Sequence, residues 1–384
     1  MNNFTYSIPT KIHFGKGQIS HLSELSESGN KVLLCYGGGS IKKAGIYDEA
    51  VKILKEEDME IFELSGIAPN PKIESVREGV KLCKENDIDM VLAIGGGSVI
   101  DCAKVVAAGA CYDGDPWDLV ITPRWIKKAL PIYSVLTLSA TGSEMDPFAV
   151  ISDMSKNEKW GTASEHMKPR MSILDPEYTY SVSKKQTAAG TADMISHICE
   201  NYFTNVKNAD VQARFAEGLL KNCFKYGPIA LEEPDNYDAR ANLMWTASMA
   251  INGILSDGAE VSWCVHPMEH ELSAFYDITH GEGLAILTPH WMDFALNNDT
   301  AYKFADYARN VWGVVNDDDM AAAKEGIACT REYFKKMGLP QTLTDVGIDK
   351  EYFDIMAQKA ADGCVGSFVP LSKEDIVSIF EAAL

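Results

Sequence analysis

Apolar runs bounded by glycine or proline alternate with amphipathic segments through the first half of the chain. Short continuous apolar runs predict buried strands, and the segments between them have helical spacing. This alternation predicts a parallel sheet covered by helices on both faces. The predicted strands are 31–36, 59–64, 90–94, 132–138, 148–152 and 171–174, with short strands within 4–14, and the predicted helices are 41–57, 72–86 and a third running to about 110.

The pattern changes beyond about residue 183. Helical spacing with few β-branched runs predicts helices, and Pro228 and Pro289 are interpreted as joints because proline interrupts helices. The 384 residues are too many for one ordinary core. We therefore predict an α/β domain at 1–182 and an all-α domain at 183–384, packed closely with a cleft between them. The predicted helices of the second domain are 184–204, 207–226, 236–256 and 302–314.

Composition narrows the class of protein. A net charge of −20 argues against partners such as nucleic acid and anionic membranes. Nine scattered cysteines without a C-x-x-C pair argue for a reducing compartment, so we expect a cytoplasmic protein. The start of the chain lacks the layout of a signal peptide, and no apolar run is long enough to predict a membrane span.

Two polar turns follow predicted strands. The turn Gly95–Ser98 opens a helix, where glycines let the backbone approach a phosphate and free N–H groups attract anions. The dinucleotide motif G-x-G-x-x-G is absent, and Ser98 with Asp101 could instead form a helix-capping box that needs no ligand. The turn at 137–143 offers hydroxyls to a nucleotide, although a Ser/Thr-rich loop alone is not specific.

A third turn, Gly37–Ser40, also follows a strand. The adenosine ribose of NAD is often recognised by an acidic residue near such a strand end. Here the turn has glycine and serine, and Lys42 and Lys43 follow. A 2′-phosphate suits this turn better than a free 2′-OH, which favours NADP(H); alternatively, the two lysines form a solvated helix face.

The stretch from Asp193 to His280 contains five candidate metal ligands. Asp193 and His197 are four residues apart, as are His266 and His270, so each pair shares a helix face. Carboxylate and imidazole suit a divalent ion such as Zn²⁺ or Fe²⁺. An isolated Asp/His pair also fits a helix side-chain hydrogen bond, but the second pair and His280, from a following loop, favour a metal site.

The spacing suggests which of these residues bind the metal and which lie beside it. Asp193, His197, His266 and His280 are preferred as ligands that leave a position open for catalysis. His270, one turn beyond His266, is preferred as a nearby proton-transfer group. Cys264 is either a soft ligand or a buried free cysteine.

Several motifs together resemble the iron-containing (group III) alcohol dehydrogenase family, and its butanol dehydrogenase branch in particular. They are GGGSVIDCAK at 95–104, LSATGSEMD at 138–146, AAGTADMISH at 188–197 and WCVHPMEHELSAFYDITHGEGLAILTP at 263–289. The resemblance covers nearly the whole chain. It implies a Rossmann-like α/β nucleotide domain followed by an all-α metal-binding domain, which together form the dehydroquinate synthase-like fold. Because members of the family are usually dimeric or larger, the resemblance also implies a homodimer.

The resemblance also implies residues and chemistry. Metal ligands would be Asp193, His197, His266 and His280, holding Fe²⁺ or Zn²⁺, with His270 and His280 as catalytic candidates. The implied reaction is NADP(H)-linked interconversion of short primary alcohols and aldehydes such as butanol and butanal. A metal-dependent NAD-containing lyase and a polyol (glycerol-type) dehydrogenase of the same fold are the alternatives. The cofactor-binding candidates are Gly37, Gly38, Gly39, Ser40, Asn70, Gly95, Gly96, Gly97, Ser98, Asp101, Thr137, Leu138, Ser139, Ser143 and Lys159.

Overall fold

The structure, a computed structural model, describes residues 1–384. The chain forms two compact units. The sheet unit comprises Ser7–Val182 and Asp235–Met244, and the helical unit comprises Met1–Tyr6, Ser183–Pro234 and Trp245–Leu384. Compared with the predicted segments 1–182 and 183–384, two short segments, Met1–Tyr6 and Asp235–Met244, lie in the opposite unit.

The sheet unit is built on six parallel strands in the order β1-β8-β5-β4-β2-β3. Helices and 3-10 turns connect them. Strands are β1 Lys11–Phe14, β2 Lys31–Tyr36, β3 Glu60–Leu64, β4 Met90–Gly95, β5 Ile132–Leu136, β6 Phe148–Asp153, β7 Glu158–Ala163 and β8 Met171–Leu174; helices are α1 Ser40–Lys43, α2 Ile46–Glu56, α3 Ile73–Asn86, α4 Gly97–Ala110 and α5 Pro116–Ile121; 3-10 helices are Gln18–Ser28, Pro123–Trp125, Glu165–Met167 and Pro176–Thr179.

Alternate side chains of the parallel strands enter two separate cores. On β2, Leu33 packs in the core with α3, α4 and α5, whereas Leu34 packs in the core with α2 and the 3-10 helix Gln18–Ser28. On β4, Val91 lies in the same core as Leu33, and Leu92 lies in the same core as Leu34. Burial on both faces explains why these strands are continuous apolar runs rather than alternating ones. The predicted parallel sheet with both faces covered is confirmed.

A separate antiparallel pair, β6 with β7, lies outside the main sheet. The apolar run 148–152 predicted β6, but β7 was missed because its sequence, EKWGTA, has no apolar run. Within 4–14, only Lys11–Phe14 is a strand. The sequence therefore predicted the buried strands more reliably than the exposed ones.

The helical unit consists of helices apart from short connections. Pro228 lies inside α7 and Pro289 inside α10, so their interpretation as joints was wrong. None of the helices in the chain combines the length and the apolar composition that a membrane crossing requires. The helices are α6 Lys184–Tyr202, α7 Asp210–Glu232, α8 Tyr237–Ile251 (whose start belongs to the sheet unit), α9 Val265–Tyr276, α10 His280–Ala295, α11 Ala301–Tyr307, α12 Asp319–Lys336, α13 Phe353–Cys364 and α14 Lys373–Ala382, with a π-helix at Ala308–Trp312 and a 3-10 turn at Thr344–Val346.

Candidate metal centre and nucleotide-binding turns

Helix α6 holds Asp193 and His197 one turn apart in the interior of the helical unit. Every residue from Thr187 to Tyr202 is buried, so this helix is packed on all sides. Asp193 Oδ1 lies 3.5 Å from His197 Nε2. Because Asp193 Oδ1 has no hydrogen-bond partner, the pair is not the helix side-chain hydrogen bond that the spacing also allowed.

Two further helices bring imidazoles to the same carboxylate oxygen. His266, on the first turn of α9, places Nε2 3.6 Å from Asp193 Oδ1, and His280 places Nε2 3.7 Å from it. His280 is the first residue of α10 and not part of a loop, which corrects the sequence prediction. Donor atoms of Asp193, His266 and His280 all lie within 4.8 Å of one another, and His197 joins them through Asp193. Neighbouring ligands of a tetrahedral ion with bonds of about 2.1 Å lie about 3.4 Å apart, close to the separations from Asp193.

Unpartnered buried atoms indicate what this cluster accommodates. Asp193 Oδ1 and His266 Nε2 are both buried without a hydrogen bond. Leaving a buried polar atom unsatisfied costs about 1–3 kcal/mol, and more when the group is charged. A divalent ion bound by carboxylate and imidazole would satisfy these atoms together, so the residues fit a metal.

Two glutamates that the sequence analysis missed orient the imidazoles. Glu200 contacts Nδ1 of His266, and Glu269 contacts Nδ1 of His280. A carboxylate at Nδ1 directs the other ring nitrogen, Nε2, toward a metal. A signal for Glu200 was available, because it follows His197 by three residues on the same helix face. Glu269 gave no such signal, since its contact with His280 depends on how α9 packs against α10.

Glu200 also caps helix α9. Its Oε1 accepts hydrogen bonds from the backbone N–H groups of Cys264 and Val265 at 2.6 and 2.7 Å. Its Oε2 accepts from the backbone N–H of His266 at 3.3 Å. These are N–H groups of the helix start that have no partner within the helix. One carboxylate therefore fixes both the start of α9 and the orientation of His266.

The charges of the cluster are coupled. Burial raises the pKa of Asp193, but the nearby imidazoles outweigh burial and hold it well below its ordinary value. Burial lowers the pKa of His197 to about 3. Burial also lowers the pKa of His266, but Glu200 and Asp193 outweigh it and raise the value to about 9. The carboxylates of Glu200 and Asp193 therefore favour positive charge at this cluster, which a bound cation would supply.

His270 and Trp263 lie beside the cluster. The half-buried His270 ring has its centroid 5.6 Å from the ring of His280. Donor atoms of His270, Glu269 and His280 lie within 4.8 Å of one another, so His270 is close to a proposed ligand. The indole of Trp263 lies 4.7 Å from the His266 ring and 5.1 Å from the His197 ring. Cys264 is buried, and burial raises the pKa of its thiol well above the ordinary value, so it is a poor candidate for a thiolate ligand.

In the sheet unit, the turn Gly95–Ser98 joins β4 to α4. The capping box considered as the alternative is absent, since α4 has Gly96 as its N-cap and no side-chain cap hydrogen bond. The glycines have a packing reason of their own: a Cβ on Gly97 would lie 2.3 Å from Thr141 Oγ1. The turn at 137–143 therefore packs directly on the start of α4. Free N–H groups of the first helical turn remain the feature that suits a phosphate.

Asp101 and Ser143, both predicted cofactor contacts, bond to each other. Ser143 Oγ donates to Asp101 Oδ1 at 2.6 Å, and the backbone N–H of Val150 donates to Asp101 Oδ2 at 2.9 Å. Both side chains are buried. The pair therefore anchors the polar turn to α4. Three other predicted cofactor contacts, Thr137, Leu138 and Ser139, are half-buried just after β5.

The turn Gly37–Ser40 follows β2, next to β4 in the sheet, so the turns after β2, β4 and β5 lie at the carboxyl ends of three adjacent strands. Ligands of open α/β sheets bind at such ends. Lys42 Nζ lies 4.8 and 4.2 Å from the ring centroids of Tyr36 and Tyr47 and 3.8 Å from Glu63 Oε2. Both tyrosine hydroxyls donate to Glu63 at 2.5 Å. Lys42 therefore has defined contacts and is not simply part of a solvated face.

The remaining predicted cofactor contacts lie further along the chain. Asn70 has a left-handed backbone, with φ 49°, between Pro69 and Pro71. Lys159 is buried on β7 opposite Ser152 of β6. The backbone N–H of Ser152 donates to the carbonyl of Pro71 at 2.9 Å, which ties the β6–β7 pair to the loop carrying Asn70.

The sheet unit has polar turns at its carboxyl edge, and the helical unit has a buried Asp/His cluster. We expect these two features in a metal-dependent, nucleotide-linked oxidoreductase. Comparison with known proteins gives the same class. Residues 9–176 match the family described as iron-containing alcohol dehydrogenase, and residues 187–384 match the C-terminal region of the Fe-containing alcohol dehydrogenase family.

Individual relatives match along the full length. The chain is 56% identical over 386 residues to NADH-dependent butanol dehydrogenase A of Clostridium acetobutylicum, with 99% of each chain covered. It is 41% identical to NADPH-dependent aldehyde reductase YqhD of Escherichia coli, over 94% of this chain and 93% of the relative. The crystal structure of NADH-dependent butanol dehydrogenase A from Thermotoga maritima matches with a TM-score of 0.95 and 41% identity, over 100% of this chain and 99% of that one.

The chain belongs to the iron-containing alcohol dehydrogenase family, and its resemblance to the butanol dehydrogenase branch is confirmed. It is an NAD(P)-dependent oxidoreductase acting on the CH–OH group of alcohols. The family implies a metal ion and a nicotinamide cofactor. The Asp/His cluster fits the metal ion, because its buried donor atoms have no other partner. The carboxyl edge of the sheet fits the phosphates of the nicotinamide cofactor.

Proposed function

We propose that this protein is a metal-dependent alcohol dehydrogenase and aldehyde reductase acting on short primary alcohols and aldehydes such as butanol and butanal. The observation that carries the proposal is the convergence of three imidazole Nε2 atoms at 3.5–3.7 Å from one oxygen of Asp193. Asp193, His197, His266 and His280 would hold the ion. The names of two relatives at 56% and 55% identity, both butanol dehydrogenases, support the substrate class.

The proposed division of labour follows from the contacts. A divalent ion, when bound, supplies Lewis-acid polarisation of the substrate oxygen, and the nicotinamide supplies or accepts the hydride. Glu200 and Glu269 hold the imidazoles of His266 and His280 in one ring orientation. Trp263 covers the rings of His197 and His266 and limits the access of water to them. His270, beside His280, is the side chain available to accept or donate the proton.

A direct assay tests the metal role. Protein loaded with Fe²⁺ or Zn²⁺ is mixed with butanal and NADPH, and loss of the reduced nicotinamide absorbance is followed. We expect His266→Ala to lower kcat by more than about 100-fold, since ligand loss is more severe than the loss of an orienting residue. The matched control is His166→Ala, which removes an exposed histidine of the sheet unit and leaves turnover unchanged. Full activity of His266→Ala would contradict the proposal.

We also propose that NADPH is favoured over NADH. The turn Gly37–Ser40 has no carboxylate to accept a hydrogen bond from a ribose 2′-OH, and Lys42 follows it by two residues on α1. The names of relatives divide on this point, with NADH at 56% identity and NADPH at 41%. In this chain the contact of Lys42 with Glu63 opposes the preference, because a carboxylate beside the ammonium weakens its attraction for a 2′-phosphate.

The ratio of kcat/KM for NADPH and NADH tests this preference. We expect a ratio above one that falls about tenfold in Lys42→Ala, since one phosphate contact of this kind contributes about 1.4 kcal/mol. Glu63→Gln should raise the ratio. Lys55→Ala, an exposed position on α2, is the control. A wild-type ratio below one that Lys42→Ala does not change would contradict the proposal.

We propose that the protein is a homodimer, on the basis of its family resemblance. Light scattering coupled to size-exclusion chromatography measures the mass directly, against 42.2 kDa for a single chain. A cytoplasmic location also remains a prediction, and the nine cysteines, all free in the structure, agree with the cysteine usage on which it depends.

A further inference from the structure

One imidazole of the Asp/His cluster lacks the carboxylate that the other two have. Nδ1 of His266 contacts Glu200, and Nδ1 of His280 contacts Glu269. Nδ1 of His197, in contrast, is buried and has no hydrogen-bond partner. Histidines that bind a metal almost always donate this second ring nitrogen to a carboxylate, a carbonyl or a water, and that bond fixes the orientation of the ring. The orientation of His197 must therefore depend on other contacts.

The ring of His197 is packed against two other aromatic rings. His197 and His266 stack with centroids 4.6 Å apart and planes 11° from parallel. The indole of Trp263 lies 5.1 Å from the ring of His197 and 4.7 Å from that of His266, so each of the three rings contacts the other two. His197 is only 4% exposed, and in a close-packed interior its ring cannot rotate without displacing a neighbour. Packing can therefore take the place of the missing hydrogen bond.

Helix α6 fixes the indole of Trp263 as well as the imidazole. Trp263 Nε1 donates a hydrogen bond to Oδ1 of Asn201 at 3.3 Å. Nδ2 of Asn201 donates in turn to the carbonyl of Ala250 at 2.9 Å, which leaves the oxygen of the amide for the indole. Asn201 is 4% exposed and lies four residues after His197, so the two side chains share a helix face. The amide of Asn201 is therefore in position to hold the indole against His197.

The backbone beside Trp263 is anchored to the same helix. Glu200 accepts hydrogen bonds from the N–H groups of Cys264 and Val265, the two residues that follow Trp263. Trp263 is thus held through its side chain by Asn201 and through the adjoining backbone by Glu200. Two anchors on α6 define the position of the indole relative to His197, which lies on that helix.

We propose that Trp263, anchored by Asn201, is the positioning residue of His197. Its indole orients the imidazole by packing, whereas Glu200 and Glu269 orient the other two rings through Nδ1. This inference rests on the metal role proposed above and adds to it a determinant of metal affinity that is not a ligand. Aromatic packing is weaker than a contact with a carboxylate, so its loss should reduce metal affinity less than the loss of Glu200.

The Zn²⁺ affinity of the full-length protein, measured by competition with a coloured chelator, tests the inference. Trp263→Leu keeps an apolar side chain but removes the aromatic plane, and we expect about a tenfold loss, the low end for residues that orient metal ligands. Asn201→Leu, which frees the indole, and Trp263→Phe, which keeps a smaller ring, should each lose about threefold. Trp125→Leu, at an exposed position of the sheet unit, is the matched control and should not change the affinity.

A double-mutant cycle distinguishes positioning of His197 from a general structural role. If Trp263 acts through His197, Trp263→Leu should change the affinity by less than about twofold when His197→Ala is already present. Added to Glu269→Gln, it should again lower the affinity about tenfold, because Glu269 acts on a different ring. The same cycle with Asn201→Leu, which leaves Trp263 in place, should give the same pattern on a smaller scale. Melting temperatures of the metal-free variants show that each is folded.

The outcomes separate this inference from the metal role on which it rests. Wild-type affinity in folded Trp263→Leu would overturn the inference and leave the metal role intact. An equal loss of affinity with and without the imidazole of His197 would do the same, since the indole would then act on the whole unit. A wild-type protein that binds no Zn²⁺ would overturn the metal role, and the inference with it.

Discussion

A single carboxylate, that of Glu200, has two tasks in the helical unit. It accepts hydrogen bonds from three backbone N–H groups at the start of α9 and contacts the ring of His266. It is 4% exposed, so no water can replace these contacts readily. A change at Glu200 is therefore expected to alter metal affinity and the stability of α9 together, although Glu200 is not itself a proposed ligand.

We predict that Glu200→Gln lowers metal affinity about 10–100-fold, as measured by competition with a coloured chelator. The amide is nearly the same size but lacks the charge that orients Nδ1 of His266. Its free energy of unfolding should fall by about 1–3 kcal/mol, because one oxygen no longer accepts two N–H groups. Glu232→Gln, at an exposed position near the end of α7, is the matched control and should change neither quantity. Wild-type metal affinity in Glu200→Gln would contradict the assigned role.

Residue patterns predicted the ligand set but not the residues that support it. Asp193, His197, His266 and His280 could be proposed because their spacing and chemistry are visible along the chain. Glu269 could not, because its contact with the ring of His280 joins two helices and has no sequence period. For Asp101, the motif predicts a cofactor contact, which stays a prediction, but its hydrogen bonds with Ser143 and Val150 could not be read from the motif.

At the scale of elements, a close crossing of α6 and α10 positions the donors of the metal cluster. A Cβ added to Gly281 would lie 2.0 Å from the carbonyl oxygen of Ala189, a distance that no side chain tolerates. Gly281 follows His280 directly, and Ala189 lies one turn before Asp193. The absence of a side chain at Gly281 therefore allows the two helices to approach closely enough for His280 to reach Asp193.

We predict that Gly281→Ala destabilises the protein by at least about 1–3 kcal/mol, because the new methyl group forces the helices apart. Metal affinity should fall with it, since His280 moves with the start of α10. Gly218→Ala is the matched control: its Cβ meets nothing within 4 Å on the exposed face of α7, so it should stabilise by about 0.5–1 kcal/mol. Chemical denaturation measures both. If the two substitutions had equal effects, the close crossing would not matter.

A buried ion pair joins α4 to the polar turn before β6. Lys104 Nζ lies 2.7 Å from Asp146 Oδ1 and also donates to the carbonyl of Phe148, with side chains 0% and 2% exposed. Burial raises the pKa of Asp146 to about 7, and the Lys104 ammonium opposes that rise. The pair is therefore needed to keep a carboxylate in an apolar environment at neutral pH.

We predict that Lys104→Met costs about 3–5 kcal/mol, because Asp146 is left without its counter-charge. A carboxyl with a raised folded-state pKa adds stability at low pH, and this contribution is lost as pH rises through that pKa. Lys104→Met should therefore lose more stability than the wild type between about pH 5 and pH 8. Thermal unfolding across this range tests it, with exposed Lys81→Met as the control. A pH dependence equal to that of the wild type would contradict the argument.

At the scale of the whole molecule, the proposed metal site and the glycine turns lie in different compact units. All four proposed ligands lie in the helical unit, and all three turns lie in the sheet unit. A bound metal should therefore stabilise one unit directly. The gain follows from mass action and is about 2.7 kcal/mol when free metal exceeds its dissociation constant 100-fold.

We predict that removing the metal with a chelator lowers the melting temperature and speeds amide hydrogen exchange in α6, α9 and α10. Exchange in β2 and β4 should stay near its original rate, because these strands have their own cores. Mass spectrometry of peptic fragments locates the change. Restoring the metal should restore protection, and a uniform change over both units would contradict a site confined to the helical unit.

The elements predicted most accurately from the sequence are the strands that are buried on both faces of the sheet. Strand 31–36 and strand 171–174 were predicted with their observed bounds, because burial on both faces leaves uninterrupted apolar runs. The predicted helix 41–57 is two helices, α1 and α2, separated at Ala44 and Gly45. The strand β7 and the 3-10 helix Gln18–Ser28 were not predicted, because neither has a strong apolar period. Partly exposed elements depend on contacts that a linear pattern does not encode.

The path of the chain has a consequence for how this protein is made and dissected. The sheet unit is completed by Asp235–Met244, where Met244 is fully buried in a core and the ring of Tyr237 lies 4.7 Å from Lys16 Nζ. A fragment that stops at residue 182 lacks these contacts and should expose apolar surface. During synthesis on a ribosome, the sheet unit likewise stays incomplete until residue 244 has emerged, 60 residues after the start of α6 at Lys184. Expression of separate halves is thus expected to give aggregation-prone pieces, and co-expression of the two halves to rescue them.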